Sequence, residues 1–265
     1  MLELEHGFRV VDVGATLVAE RGASRGRAVA PDRLERELRQ AGVVRAVVTP
    51  PSDPGGGDYL AANNAVARRS VDRPFLPFAR LSGPREPADP PGERSRPGDH
   101  PDPESVAQYG YDDRFHGFAL DPIRDGLPAP TTLDALGNVG LPVLVTAGRR
   151  LPPSRVTGLC GRGFPVVLGG IGGDPGTREL FATAVDLLER HDDLYLDTGT
   201  VRSRALLERA LREHPDRVLF ASRAGEAHPN VAVMTLLTCS VPEDTMRRAF
   251  GANPSRVVPA LAATD

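Results

Sequence analysis

The hydrophobic positions fall into eight short runs: Phe8–Leu17, Val43–Thr49, Phe75–Leu81, Phe115–Asp121, Leu141–Thr146, Phe164–Gly169, Asp193–Asp197 and Arg217–Ser222. Each is bounded by Gly, Pro or charge, as buried strands are. Pro77 inside the third run weakens that strand's signal. Between the runs lie stretches of helical period. Pro31–Gln40 has Leu34 and Leu38 four apart, Pro at its start and Gly42 beyond its end. Tyr59–Val71, Thr131–Leu136 with Thr132 as cap, Pro152–Leu159, Arg202–Glu213 and Val231–Leu237 read the same way, and Glu104–Tyr109 offers a turn or two. Thr177–Arg190 carries the clearest stripe, Leu180, Ala184, Leu187 and Leu188. Ser240 with Glu243 reads as a capping box for a helix running through Thr245–Phe250, and Asn253 as the cap of Pro254–Leu261.

Strands alternating with helices in this way predict parallel β/α units, and eight of them predict a closed (β/α)8 TIM barrel of the α/β class. An open doubly wound sheet is the runner-up. No two-residue hairpin signal joins neighbouring runs, which disfavours an antiparallel architecture. The whole chain, 1–265, reads as one domain with one insertion. That insertion, Ser82–Pro103, holds seven prolines and three glycines and nothing apolar larger than Ala88, so it is expected to be a mobile surface loop. Residues 21–30 and 50–57 also read as loops.

Composition narrows the function classes. A formal net charge of −3 gives no electrostatic reason to expect nucleic acid or an anionic membrane as partner. None of the 32 basic residues is Lys, which excludes a catalytic lysine. Cys160 and Cys239 have neither metal spacing nor a disulfide framework, consistent with a reduced, cytoplasmic setting. The opening MLELEHGFRV lacks a signal-peptide pattern, and no apolar stretch is long enough to span a bilayer. A small-molecule ligand and a homo-oligomer stay open.

Seven segments, in order, carry a resemblance: VVDVGATL, FHGFALDP, LPVLVTAG, FPVVLGGIGG, DLYLDTGTV, RVLFASRAGEAHP and FGANPSRVV. Together the chain resembles the amidohydrolase-related family of the amidohydrolase-2 type, metal-dependent (β/α)8 hydrolases and decarboxylases. The resemblance implies a site at the C-terminal ends of the strands. It also implies five metal-ligand positions, which here read Gly14, Thr16, Thr146, Gly170 and Arg223. None is an imidazole, thiolate or carboxylate, the donors a Zn²⁺ site uses. The expectation is therefore a member lacking the ligand residues, with no metal and no cofactor, leaning away from catalysis.

Asp12, Gly14 and Thr16 alternate along the first strand and are expected to share a face. Asp12 reads either as a general base at the mouth or as a strand-end ion-pair partner. Arg223 reads as an anion-binding group or as the partner of Asp12 or Asp197. His116 lines the mouth or is a hydrogen-bonded structural histidine. Asp121 and Asp197 complete the catalytic candidates, with Thr146, Gly170 and Ser222 as ligand-binding candidates. His228 reads as a solvated loop residue. The Gly169–Gly173 run offers backbone amides to a phosphate but lacks the P-loop Lys-Ser/Thr, so a tight turn is the better reading. Two functions follow. One is a metal-free barrel, a pseudoenzyme, that binds a small ligand at the rim. The other is a metal-independent hydrolase or decarboxylase acting on a small carbonyl or carboxylate substrate.

Overall fold

The computed structural model describes residues 6–18, 30–52, 59–86, 98–172 and 177–262. Their parallel strands are β1 (Val10–Thr16), β2 (Val43–Thr49), β3 (Phe75–Pro77), β4 (Ala79–Leu81), β5 (Phe118–Leu120), β6 (Val143–Thr146), β7 (Val166–Gly169), β8 (Leu194–Asp197) and β9 (Val218–Leu219). β3 and β4 are two halves of one stave, broken at Phe78. Phe78 N–H donates to Val48 on one side, while Ala79 N–H donates to Gly117 on the other. The stave thus hands its pairing from β2 to β5. The ring closes where Val13 N–H donates to Phe220 O at 3.0 Å and Thr16 N–H to Ala224 O at 2.8 Å. Eight staves in a closed parallel ring are the (β/α)8 barrel that the hydrophobic pattern predicts.

Alternation along the strands divides the core in two. Val11, Val13, Val47, Phe78, Val167, Leu219 and Ala221 fill the barrel's interior. Their neighbours Val10, Val48, Val166, Leu168, Leu194, Leu196 and Phe220 face the surrounding helices. The C-terminal segment plugs the bottom of the barrel with Val257, Val258 and Leu261. It is held there by Arg9 Nη2 on Leu261 O at 2.9 Å and Arg45 Nη1 on Ala260 O at 2.6 Å. With its base closed, the barrel opens at the strands' C-terminal ends.

The helix Pro31–Gln40 has the predicted bounds: Pro at its start, Leu34 and Leu38 buried, Asp32 in the first turn, Arg39 in the last. Three predicted caps are otherwise employed. Thr132 Oγ1 donates to Pro101 O, inside a helix that starts at Pro130. Ser240 offers its N–H to Glu208, and the helix Glu243–Arg247 is capped by Pro242 with no side-chain bond. Asn253 is fully buried and donates to Pro215 O and Val218 O, tying the C-terminal segment to β9. For Thr132 and Asn253 a tertiary partner outcompetes the local backbone for the polar side chain; at Ser240 it is the backbone that is tied to a neighbouring helix, through Glu208. The insertion is described only at its ends, where Arg85 bridges to Leu127 and Ser82 Oγ lies 2.9 Å from His100 Nδ1. A helix begins at Pro103. Residues 87–97 of the insertion lie outside the described residues, as do 19–29, 53–58 and 173–176 of the other expected loops.

Barrel closure has a polar staple. Asp12 is fully buried. Its Oδ1 accepts from Gly14 N–H and Ser222 N–H, both at 2.9 Å, and its Oδ2 accepts from Ser222 Oγ. Removing the acceptor leaves two amides unsatisfied, at about 1–3 kcal/mol each. Asp12→Ala should therefore lower stability by about 3 kcal/mol in denaturant melts, and Asp12→Asn, which keeps an acceptor oxygen, by clearly less. Equal losses would remove the carboxylate's acceptor role. Burial pushes the Asp12 carboxyl above its ordinary 3.8, more than its hydrogen bonds lower it. The folded state then holds a proton that the unfolded chain has lost, so Asp12's contribution to stability falls as pH rises above 3.8 through the folded pKa. Asp12→Asn should flatten that fall, read as the melting temperature against pH.

Candidate functional site

The open end of the barrel holds a cavity of about 820 Å³. It is lined from successive strand ends by Gly14 and Thr16, Thr49, Asp121, Thr146, Gly170, Asp197 and Arg223. Arg80, Arg124 and Glu226 complete its charged wall. Three arginines thus face three carboxylates.

Arg223 dominates the floor. It follows the last stave with a left-handed backbone, φ 54°, uncommon for any residue but Gly, Asn or Asp. Its Nη2 donates to Asp197 Oδ2 at 3.0 Å, and Asp197 Oδ1 accepts from Gly199 N–H at 2.9 Å. Side-chain exposure is 21% for Arg223 and 6% for Asp197, so this pair is largely out of water. Burial alone would lower the guanidinium's pKa. Asp197 first, then Glu226, Asp12 and Asp121, raise it above the ordinary value. Arg223 therefore stays charged at any usable pH. Its Nε is buried with no hydrogen-bond partner among the described residues.

Glycines make the room for this side chain. A Cβ on Gly169 would lie 1.9 Å from Asp197 Oδ2 and 2.4 Å from Arg223 Nη2. One on Gly199 would lie 2.8 Å from Arg223 Cγ. The Gly-rich run after β7 is a tight turn, with φ 83° at Gly170 and 87° at Gly172, and Gly172 N–H donates to Thr177 Oγ1.

A second arginine went unremarked in the sequence. Arg80 Nη1 donates to Asp125 Oδ2 and its Nε to Pro50 O, both at 2.9 Å. Its guanidinium lies over the Tyr59 ring, and the Tyr59 hydroxyl donates to Asp125 Oδ1 at 2.7 Å. Burial pushes the Asp125 carboxyl up, against the pull of Arg80 and Tyr59. The available signal was a charge inside the apolar run FLPFARL, which a buried stave carries only if it is paired. Arg124, on the turn after Asp121, lies more openly. Its Nη1 donates to Ser52 Oγ at 3.0 Å and its Nε is 3.8 Å from Asp121 Oδ2. Asp121 itself is 7% exposed and lines the cavity.

The structure brings together Asp121, Asp197, Arg223, Thr146 and Gly170 at the mouth. It does not bring the other three candidates there. Asp12 does not line the cavity: a register shift between Asp12 and Ala15 breaks the alternation that would have aligned it with Gly14 and Thr16, which do. Arg223 accordingly pairs with Asp197, not Asp12. Ser222 is 2% exposed and absorbed by Asp12 and by Ala224 N–H. His116 precedes β5, at the opposite end of the barrel, where its N–H donates to Pro77 O. Burial, and then Arg45, lower its pKa, so it serves as a neutral structural ring. His228 caps the helix Pro229–Leu237, its Nδ1 accepting from Asn230 N–H at 3.3 Å.

The five positions that the family resemblance assigns to ligands hold no imidazole, thiolate or carboxylate, and the Arg223 guanidinium lies between Gly169 and Gly199 against Asp197. A fixed positive charge there opposes a cation. Among the described residues, the one compact group of three His, Cys, Asp or Glu side chains lies elsewhere.

No protein-family model matches the chain, and no curated protein matches it in sequence. Solved structures do match over nearly its whole length. A 5-carboxyvanillate decarboxylase from Sphingomonas paucimobilis superposes with a TM-score of 0.66 at 14% identity, covering 96% of this chain and 99% of its own. A dihydroxybenzoic acid decarboxylase from Polaromonas, with bound manganese and the inhibitor 2-nitroresorcinol, gives 0.65 at 14%, covering 97% and 98%. A probable 2-pyrone-4,6-dicarboxylic acid hydrolase from Acinetobacter baumannii, with citric acid bound, gives 0.65 at 13%, covering 95% and 100%. At these identities the likeness shows the fold: this chain shares its barrel with decarboxylases and a hydrolase.

Proposed function

We propose that the cavity takes a small carbonyl- or carboxylate-bearing molecule and that the chain acts on it as a metal-independent hydrolase or decarboxylase. The observation that carries this reading is Arg223: a permanently charged, half-buried guanidinium at the floor of the cavity, with one hydrogen bond made among the described residues. Such a group binds a carboxylate or a developing oxyanion. The structural neighbours support the reaction classes, since they are named as decarboxylases and as a hydrolase.

Asp121 is the group to hold or move a proton. It faces the cavity, and its ion pair with Arg124 is long, at 3.8 Å. In a hydrolysis its carboxylate takes a proton from water as the water adds to the carbonyl carbon, and Arg223 offers N–H donors to the oxygen that becomes negative. In a decarboxylation the C–C bond breaks, its electron pair stays on the ring or chain carbon, and protonated Asp121 delivers its proton there. Arg223 helps the first reaction more. A guanidinium bound to the departing carboxylate stabilises charge that disappears as neutral CO₂ forms, and so stabilises the ground state over the transition state. Arg80 and Arg124 supply cations for a second carboxylate.

Binding without turnover is the second reading. It is favoured by one observation: Gly14, Thr16, Thr146, Gly170 and Arg223 stand where the resembled family keeps its ligands.

Assaying chelator-treated protein against a panel of small lactones, aryl amides and aromatic carboxylates separates the two. Turnover should survive chelation and fall at least 100-fold in Asp121→Asn, with ligand affinity retained. Ligand affinity that is unaffected by Asp121→Asn, with no turnover on any member of the panel, supports the binding-only reading. Arg223→Ala should weaken carboxylate binding by about 2 kcal/mol, the scale of a lost charge-assisted hydrogen bond. It should also destabilise the fold, because Asp197 is left buried without its cation. An unchanged melting temperature and unchanged affinity together would remove Arg223 from the account. Gly169→Ala, whose Cβ would displace both members of the pair, should reproduce the affinity loss without touching a charge.

A further inference from the structure

At the closed end of the barrel, far along β7 and β8 from the mouth, a second group of chemically competent side chains converges. The parallel pairing of Val166 with Leu194 lays the segment leading into β7 beside the turn leading into β8. The first carries Cys160 and the second His191 and Asp193. Their ligand atoms all lie within 4.8 Å of one another, and each residue is half-buried. They line a separate open hollow of about 660 Å³ with Gly161, Phe164 and Arg190. From these positions we propose that Cys160, His191 and Asp193 form a three-ligand site for a divalent transition metal of the zinc class.

The donor set decides the class. One sulfur, one imidazole nitrogen and one carboxylate oxygen suit Zn²⁺, whereas Mg²⁺ and Ca²⁺ take oxygen ligands. Thiolate and carboxylate together cancel a 2+ charge. Tetrahedral zinc at ordinary bond lengths separates its ligand atoms by about 3.3–3.8 Å, so side-chain rotations of about 1 Å complete the site. The donors are only lightly engaged: the Cys160 thiol donates to Val156 O at 4.0 Å, a long bond that metal binding would replace. The His191 ring makes no hydrogen bond among the described residues; its backbone O accepts from Leu194 N–H and from Arg217. Asp193 is oriented by Gly161 N–H on Oδ2 at 2.5 Å, which leaves Oδ1 open. That hydrogen bond is the kind of outer contact that positions a metal-bound carboxylate. Arg217, which reaches His191 O, is engaged with Asp192 and stacks over Tyr195, and Arg190 shares the hollow with the three donors. The fourth coordination position faces the hollow and takes water.

The thiol sets the pH behaviour. Burial, and then Asp193, push Cys160 up to about 12. Without metal it is a thiol at neutral pH, and binding must release its proton, so affinity rises with pH. This site is independent of the reading given to the mouth.

The test uses the full chain carrying Cys239→Ser, since Cys239 is buried and distant in sequence from the group. After chelation, the protein is titrated with Zn²⁺ and with Co²⁺. The expected result is one equivalent bound, release of close to one proton, a thiolate-to-cobalt charge-transfer band, and Zn²⁺ protection of Cys160 from iodoacetamide. Cys160→Ser should abolish the band. His191→Gln, which breaks no structural hydrogen bond, should weaken binding by more than the roughly 10–100-fold that loss of an outer-contact residue costs. A folded protein, by circular dichroism, that gives no cobalt band overturns the proposal. So does metal binding that is unchanged in His191→Gln.

Discussion

A charged guanidinium at the bottom of a barrel mouth needs both space and an anion, and the architecture of the open end follows from meeting those two needs. Asp197 supplies the anion at 3.0 Å. The space comes from absent side chains: Gly169 beneath the pair and Gly199 beside the Arg223 stem each sit where a methyl group could not fit. Because the pair is largely removed from water, neither member is tolerated alone, and the strand-end residues around it are constrained together. The left-handed backbone at Arg223 is part of the same arrangement, turning the side chain across the floor instead of along the strand.

Asp12 performs a different task. It stitches β1 to the end of the last stave through Ser222 and so closes the ring on which the cavity stands. The carboxylates near this end of the barrel therefore have two opposite roles. Asp12 holds backbone amides in place, buried and unavailable to a ligand. Asp197 and, more freely, Asp121 face the cavity. Cavity electrostatics are balanced in sign but divided in place, with Arg80 committed to Asp125, Arg223 to Asp197, and Arg124 only loosely to Asp121.

Much of the barrel was legible in the chain because strand and helix periods are local signals. The eight apolar runs became eight staves, and Pro31–Gln40 kept its bounds. What misled were places where tertiary partners override local rules. Asn253 and Thr132 have the side chains of caps, and each is claimed by a distant backbone carbonyl, while Ser240 is held through its backbone N–H by Glu208. Alternation along β1 failed at its register shift, which is why Asp12 was expected to line the mouth with Gly14 and Thr16 and does not. His116 looked like part of a strand but precedes it, and the start of a parallel strand lies at the end of the barrel away from the mouth. Arg80 shows the converse: its charge in an apolar run was visible, but its partners Tyr59 and Asp125 lie 21 and 45 residues away, beyond any local pattern. The Cys160, His191 and Asp193 group was equally hidden, since only parallel pairing of β7 and β8 brings residues so far apart in sequence together.

The proposed function puts a ligand's negative charge on an arginine, and not on a metal ion, at this barrel's mouth. The most direct measurement is a crystal structure of the protein grown with Zn²⁺ and Mn²⁺ and soaked with a small dicarboxylate, with anomalous data at both metal edges. The account predicts carboxylate oxygens within hydrogen-bond distance of Arg223 and no anomalous peak in the cavity. A metal peak beside Asp197, with the Arg223 side chain swung away from it, would contradict the account.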